Sequence, residues 1–125
     1  MPAKVIIIAV LVAIVLDYIV GTLRALYYLQ IGDESNKDKW WTSRKMWEGI
    51  VHKATEVVLL FVAHGVDYAA PYFNLQLPIC LMDSVAVFLI IMELGSVLEN
   101  LRDLNPGLSK PIDTIEHLTG SDKHE

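Results

Sequence analysis

Seven ionisable side chains lie inside stretches of the sequence that are otherwise strongly apolar. The acids are Asp17, Glu56, Asp67, Asp83 and Glu93, and the bases are Arg24 and Lys53. A charge at the centre of a lipid bilayer costs roughly 2.5 to 3.5 kcal/mol on insertion scales. These groups therefore cannot all face lipid. We expect them to pair with one another or to line a path for ions or water.

The charges recur at helical spacing, so each apolar stretch carries one polar stripe. The first stripe holds Asp17, Gly21, Arg24 and Tyr28; the second holds Lys53, Glu56, Leu60, His64 and Asp67; the third holds Asp83, Ala86, Ile90, Glu93, Ser96 and Asn100. Three such stripes can close against one another inside a subunit, or they can line a wet path between subunits. We interpret ten of these residues as pore or assembly residues: Asp17, Gly21, Arg24, Lys53, Glu56, His64, Asp67, Glu93, Ser96 and Asn100.

The depth of each charge in its stretch separates two interpretations. Asp17 and Glu93 lie deepest, where ionisable groups commonly mark pathways or obligatory partners. Charges nearer the ends have a structural alternative, because long basic side chains can reach the interface. Lys53 would then pair with Glu56, and Arg24 with an acid of another helix.

For Asp67 and Asp83 the structural alternative is simple solvation at the span ends. His64 and Asp67 stand three residues apart and could both ligate a metal, but two ligands do not make a metal site. We therefore predict no metal and no cofactor.

Three stretches of the 125-residue chain have the length of about 20 mostly apolar residues that a bilayer-spanning helix needs: residues 5–30, 50–72 and 77–101. We predict an all-α membrane protein with a single membrane domain over residues 1–125 and a tail from residue 102. A signal peptide is disfavoured because the first apolar run continues well past Asp17 without a convincing cleavage site. A soluble helical bundle would need polar faces that parts of these stretches lack.

Small residues recur at every fourth position of the first span. Ala9, Ala13, Gly21 and Ala25 share this stripe with Asp17. Small side chains allow a neighbouring membrane helix to approach closely. The stripe therefore predicts a helix-packing surface that also holds the deepest acid of the first span.

A tryptophan-rich segment precedes the second span. Trp40, Trp41 and Trp47 stand among Arg44 and Lys45. Tryptophan and basic residues together are typical of the membrane interface, where cations meet anionic lipid. We predict an interfacial segment here rather than a ligand site.

Glycine, proline and hydroxyl residues mark the expected helix ends. Gly32 can end the first helix, and Thr42 or Ser43 can cap the second. Pro71 and Pro78 bracket a short, uncharged connection typical of a tight helical hairpin.

The tail is predicted to contain a short amphipathic helix. Pro111 can start this helix and Gly120 can stop it, with Ile112, Ile115 and Leu118 on one side. That narrow apolar side could rest on the membrane surface or on a neighbouring subunit.

The distribution of basic residues predicts the orientation. The first loop carries Lys37, Lys39, Arg44 and Lys45, the tail carries Arg102, Lys110 and Lys123, and the N-terminus has only Lys4. Positive residues favour the cytoplasmic side. We expect the N-terminus outside, and the first loop and tail in the cytoplasm.

Several function classes are disfavoured. A net charge of -5 argues against nucleic acid as a partner, which needs a clustered basic face. Cys80 is the single cysteine, so no internal disulfide can form. The sequence has no nucleophile with a base and no glycine-rich phosphate loop, so we predict that the protein is not an enzyme.

Three motifs together resemble the small holins of phage lysis and toxin secretion. DYIVG supplies Asp17 and Gly21; SRKMWEGIVHK supplies Ser43, Gly49 and Lys53; ELGSVLEN supplies Glu93, Ser96, Glu99 and Asn100. The resemblance covers about residues 10 to 111. The acidic DESNKD loop and the acidic tail depart from the more basic termini expected of such proteins.

The resemblance implies a protein that accumulates in the bacterial cytoplasmic membrane, forms homo-oligomers and opens lesions through which an endolysin or a toxin escapes. The residues alone leave two alternatives open. One is an ion channel or transporter component that uses Asp17, Glu56 and Glu93, and the other is a non-conducting scaffold whose tail docks a partner.

Overall fold

The computed structural model describes residues 2–120, and it consists of helices and short connections over that range. Helix α1 is Ala3–Ile31, α2 is Ser43–Ala69, α3 is Leu81–Leu104 and α4 is Ser109–Thr119. Short 3₁₀ turns occupy Glu34–Lys39, Ala70–Phe73 and Pro106–Leu108. The final tail residues 121–125, which include the basic Lys123, lie outside the described residues.

Three helical segments are long and apolar enough to cross a bilayer: Ala3–Ile31, Glu34–Phe73 and Leu81–Leu104. Helix α1 has 29 residues, which at 1.5 Å per residue is about 43 Å and exceeds the hydrocarbon core of about 30 Å. Helices α1 and α2 expose many of their large apolar side chains, whereas α3 exposes only Val87 and Phe88. This inverted surface is what a lipid environment requires.

The ends of the helices follow the local chemistry expected from the sequence. Gly32 closes α1 in the left-handed conformation at φ 70°, and Gly120 closes α4 at φ 73°. The Thr42 hydroxyl caps α2 by accepting the backbone N–H of Lys45 at 3.1 Å. Thr42, and not Ser43, is therefore the cap of α2.

Helix α3 is central to the bundle because it packs against both α1 and α2. At one end of the bundle the packing is wholly apolar. The buried side chains there are Ile6, Val10 and Ile14 from α1, Leu60 from α2, and Met82, Ala86 and Leu89 from α3. This apolar cluster holds the α2–α3 hairpin against the N-terminal half of α1.

Asp67 of α2 fixes the start of α3. Its carboxylate accepts the backbone N–H groups of Leu81 and Met82 at 2.9 and 2.7 Å, and the Cys80 thiol at 3.2 Å. The expectation that Asp67 is simply solvated is wrong, because it caps a helix from another element. The third helix accordingly begins at Leu81 and not at residue 77, and Pro78 stays in the connection.

Replacing Asp67 with alanine is expected to destabilise the bundle by about 1 to 2 kcal/mol, the usual cost of losing an N-terminal cap. The backbone N–H groups of Leu81 and Met82 would lose their acceptor. Asp67→Asn keeps one side-chain oxygen and serves as the matched control, with a smaller expected loss. Unfolding in mixed micelles, followed by circular dichroism, measures both variants. An alanine variant as stable as the wild type would contradict the capping role.

Candidate functional site

An ion cluster joins the three long helices near their middle. The Lys53 ammonium of α2 donates to Asp17 of α1 and to Oε2 of Glu93 on α3, the latter at 2.6 Å. Asp17 is 7% exposed and Glu93 is 2% exposed. One lysine therefore links two buried acids that lie 36 and 40 residues away in the sequence. We call these three residues the charge triad.

Acid exceeds base around the triad. The carboxyl group of Glu56 lies beside Glu93, which brings three carboxyl groups around one ammonium. Within the described chain, Oδ1 of Asp17 and Oε2 of Glu56 are buried without a hydrogen-bond partner. Unpaired polar atoms in a buried site cost about 1 to 3 kcal/mol each. The closed bundle therefore holds polar groups that water would satisfy better.

Two glycines allow the helices to approach one another near the triad. A Cβ atom added to Gly21 would lie 3.5 Å from Nδ2 of Asn100, so α1 and α3 are already in contact there. A Cβ atom at Gly49 would lie 3.4 Å from the ring of Tyr18. These contacts place residues of the DYIVG, SRKMWEGIVHK and ELGSVLEN motifs against one another.

Of the two predicted pairings of basic residues, the structure contains that of Arg24 but not that of Lys53. Arg24 pairs with an acid of another helix, since its Nε lies 2.6 Å from Oδ2 of Asp103. Lys53 does not take Glu56, one turn away on its own helix, as its ion-pair partner. It reaches across the bundle to the triad acids instead, because all three polar stripes face the same interior.

A polar cleft of about 440 Å³ runs from the triad to the loop between α1 and α2. Six of the predicted pore or assembly residues line the cleft: Asp17, Gly21, Arg24, Lys53, Ser96 and Asn100. The other four, Glu56, His64, Asp67 and Glu93, do not line it. The apolar cluster lies toward the opposite end of the bundle.

His64 and Asp67 do not belong to this site. They line a separate surface groove near the start of α3, where Asp67 acts as the helix cap. In residues 2–120, no group of three or more His, Cys, Asp or Glu side chains is arranged to hold a metal ion.

The family comparison agrees with the order of the three motifs. The family model described as the bacteriophage holin family matches residues 3–119, which is nearly the whole chain. The chain belongs to the bacteriophage holin family. No curated protein and no solved structure matches it. This holin is an all-α membrane protein with three spanning helices and a short C-terminal helix.

The small residues of the stripe on α1 differ in how exposed they are. Ala9 is exposed on the outside of the bundle, whereas Ala13, Gly21 and Ala25 are half-buried. In the N-terminal half of α1, the buried side chains are instead the larger ones of the apolar cluster. The helix-packing role of this stripe stays a prediction.

The tryptophan-rich segment lies over the end of α1. The Trp41 backbone N–H donates to the Ala25 carbonyl at 3.2 Å. Trp40 and Trp41 are half-buried, and Trp47 is exposed beside Arg44. The interfacial role of these residues stays a prediction.

Sequence reasoning missed the contact that docks α4. Arg102 of α3 donates to Glu116 at 2.5 Å and to Asp113 at 2.6 Å. Glu116 and Ile112 are buried, whereas Leu118 is 78% exposed. The only available signal was the one-turn spacing of Ile112 and Glu116 on one face.

Proposed function

We propose that this holin oligomerises in the bacterial cytoplasmic membrane and forms lesions that release an endolysin or another protein cargo. The observation that carries the proposal is the closure of three polar stripes around Lys53, inside a bundle whose outer surface is apolar. A single subunit therefore already contains the polar helix faces that could line a lesion. Membership of the holin family supports the same function.

In the proposed mechanism, each helix exchanges neighbours within its subunit for neighbours in another subunit. In the closed subunit, Lys53 pairs with Asp17 and Glu93, and the apolar faces are left to lipid. On assembly, contacts between subunits replace the contacts within a subunit, and the polar stripes turn toward water. The unpartnered oxygens of Asp17 and Glu56 favour this exchange, because water supplies the donors that they lack.

The first loop and the tail occupy the cytoplasmic side in this proposal, with the N-terminus outside. The distribution of lysine and arginine between the flanks supports that orientation. The endolysin or toxin would then meet the assembled lesion from the side that carries α4.

Simultaneous release of two cargoes tests the proposal. Liposomes are loaded with a small dye and a folded enzyme, and the purified holin is added as wild type, Asp17→Asn or Glu93→Gln. We expect both cargoes to escape, with a shorter lag for Asp17→Asn because it loses an acid that holds α1 to α2. Asp33→Asn makes the same acid-to-amide change in the exposed loop and should match the wild type.

The alternatives predict different patterns of release. Escape of the dye alone would indicate a size-selective channel, in which the buried acids form a conduction route. Escape of neither cargo would indicate a scaffold. In that case, deletion of the chain after Asn105 should remove its activity, whereas a lesion former would stay mostly competent.

A further inference from the structure

Basic side chains outnumber acidic ones in the lining of the polar cleft. Four basic and two acidic side chains line it: Arg24, Lys39, Lys45 and Lys53 against Asp17 and Asp38. Arg24 and Lys53 are paired with carboxylates. The cations that could bind a ligand are therefore Lys39 and Lys45.

Two of these cations lie at the loop end of the cleft and have unused donors. The Lys45 ammonium donates to the Trp40 carbonyl at 3.0 Å and to the Asp38 carbonyl. The Lys39 ammonium lies 5.2 Å from the centroid of the Tyr28 ring. An ammonium has three donors, so both lysines can bind a further acceptor.

Lys39 and Lys45 differ in their ion pairing from Arg24 and Lys53, the other two cations of the cleft. Arg24, Arg44, Lys53 and Arg102 each pair with a carboxylate. Within residues 2–120, neither Lys39 nor Lys45 takes part in an ion pair. An anion entering the cleft would meet two ammonium groups that no carboxylate neutralises.

Neutral polar groups extend the cleft below the lysines. The lining includes Thr22, Ser96 and Asn100. Residues of these types can hydrogen-bond the hydroxyls or ester oxygens attached to a phosphate. Trp41 also lines the cleft, and tryptophan favours the headgroup layer of a membrane.

We propose that this cleft binds the phosphate of an anionic phospholipid headgroup through Lys39 and Lys45. The cleft opens beside the loop that connects two spanning helices, which is the depth of lipid phosphates. The lining residues Thr22 and Ala25 have exposed leucine neighbours in sequence, Leu23 and Leu26, so acyl chains have an apolar surface beside them. A bound phosphate would link the loop to α1 and the start of α2.

Lipid binding to the full-length protein tests this site without requiring lesion formation, so its outcome is separate from that of the proposed function. Native mass spectrometry counts phosphatidylglycerol bound to the holin released from neutral detergent micelles, with phosphatidylcholine as the comparison lipid. Lys39→Gln removes a cleft charge. Lys37→Gln makes the same change in the same exposed loop, outside the cleft.

We expect saturable binding of phosphatidylglycerol that Lys39→Gln weakens about tenfold, as for a lost hydrogen bond to a charged group. Lys37→Gln should bind like the wild type. Equal losses in the two variants, or equal binding of both lipids, would overturn the site in favour of general surface attraction. Lys45→Gln against Arg44→Gln repeats the comparison on α2.

A separate titration with inorganic phosphate distinguishes the source of the anion. Phosphatidylglycerol binding that excess inorganic phosphate leaves intact supports a lipid headgroup site. Binding of inorganic phosphate alone, lost in Lys39→Gln, would overturn the lipid assignment and identify the cleft as a free phosphate site.

Discussion

Replacing Lys53 with methionine is expected to destabilise the holin by about 3 to 5 kcal/mol, the usual cost of removing one partner from a buried ion pair. The variant leaves Asp17 and Glu93 facing each other without their shared cation. Both acids are more than nine-tenths buried, so solvent cannot replace the ammonium. The free energy of unfolding in mixed micelles, followed by near-ultraviolet circular dichroism, measures the loss.

A charge-free triad separates lost pairing from lost packing. Combining Lys53→Met with Asp17→Asn and Glu93→Gln removes all three charges at similar side-chain volume, and we expect it to recover most of the lost stability. Lys37→Met makes the same substitution in the exposed loop and should change stability by no more than about 0.5 kcal/mol. A Lys53→Met variant as stable as Lys37→Met would show that the triad does not hold the helices together.

Arg102→Met is expected to release α4 from the bundle. Arg102 holds Glu116 and Asp113, and Glu116 is only 3% exposed. Without the guanidinium, Glu116 would recover water only when α4 undocks. Hydrogen exchange of the α4 amides should therefore accelerate between about tenfold and a hundredfold, as for loss of hydrogen bonds to a charged group.

The effect of Arg102→Met should be confined to α4, because a surface helix can open without unfolding the three spanning helices. Exchange in α1 and α3 should stay close to that of the wild type. Lys110→Met removes a charge from an exposed position of α4 and serves as the control. Adding Glu116→Met to Arg102→Met should restore protection, and unchanged α4 exchange in the single variant would refute the docking role.

The sequence predicts the helices well because their signals are local. A run of apolar residues sets a span, and Gly32, Thr42 and Gly120 mark ends through their own backbone or side-chain chemistry. The start of α3 escaped prediction because its cap, Asp67, belongs to another helix. Hydropathy marks residue 77 as apolar but cannot reveal which backbone N–H groups have a distant acceptor.

The sequence predicted which helix faces carry the candidate site, but it did not predict which side chains on those faces contact one another. Helical periodicity placed Asp17, Lys53 and Glu93 on inward stripes, yet it could not choose between Glu56 and the two distant acids as partners of Lys53. That choice depends on how far each helix is shifted along its neighbour, which helical periodicity does not give.

Helix α4 was predicted as an amphipathic helix, but its contact with α3 was not. The described bundle buries Ile112 with Glu116, and Arg102 of α3 pairs with Glu116. Ile115 and Leu118 remain exposed. That this apolar side rests on the membrane surface or on a neighbouring subunit stays a prediction.

The Asp67 cap bears on how the protein enters its membrane. In the proposed orientation, the connection from α2 to α3 would have to be translocated, and no charged residue lies between Asp67 and Asp83. The carboxylate of Asp67 already accepts two backbone N–H groups and a thiol, which offset part of the cost of dehydrating it. These contacts exist only when α2 and α3 are paired. Insertion of both helices together as one hairpin would therefore lower that cost.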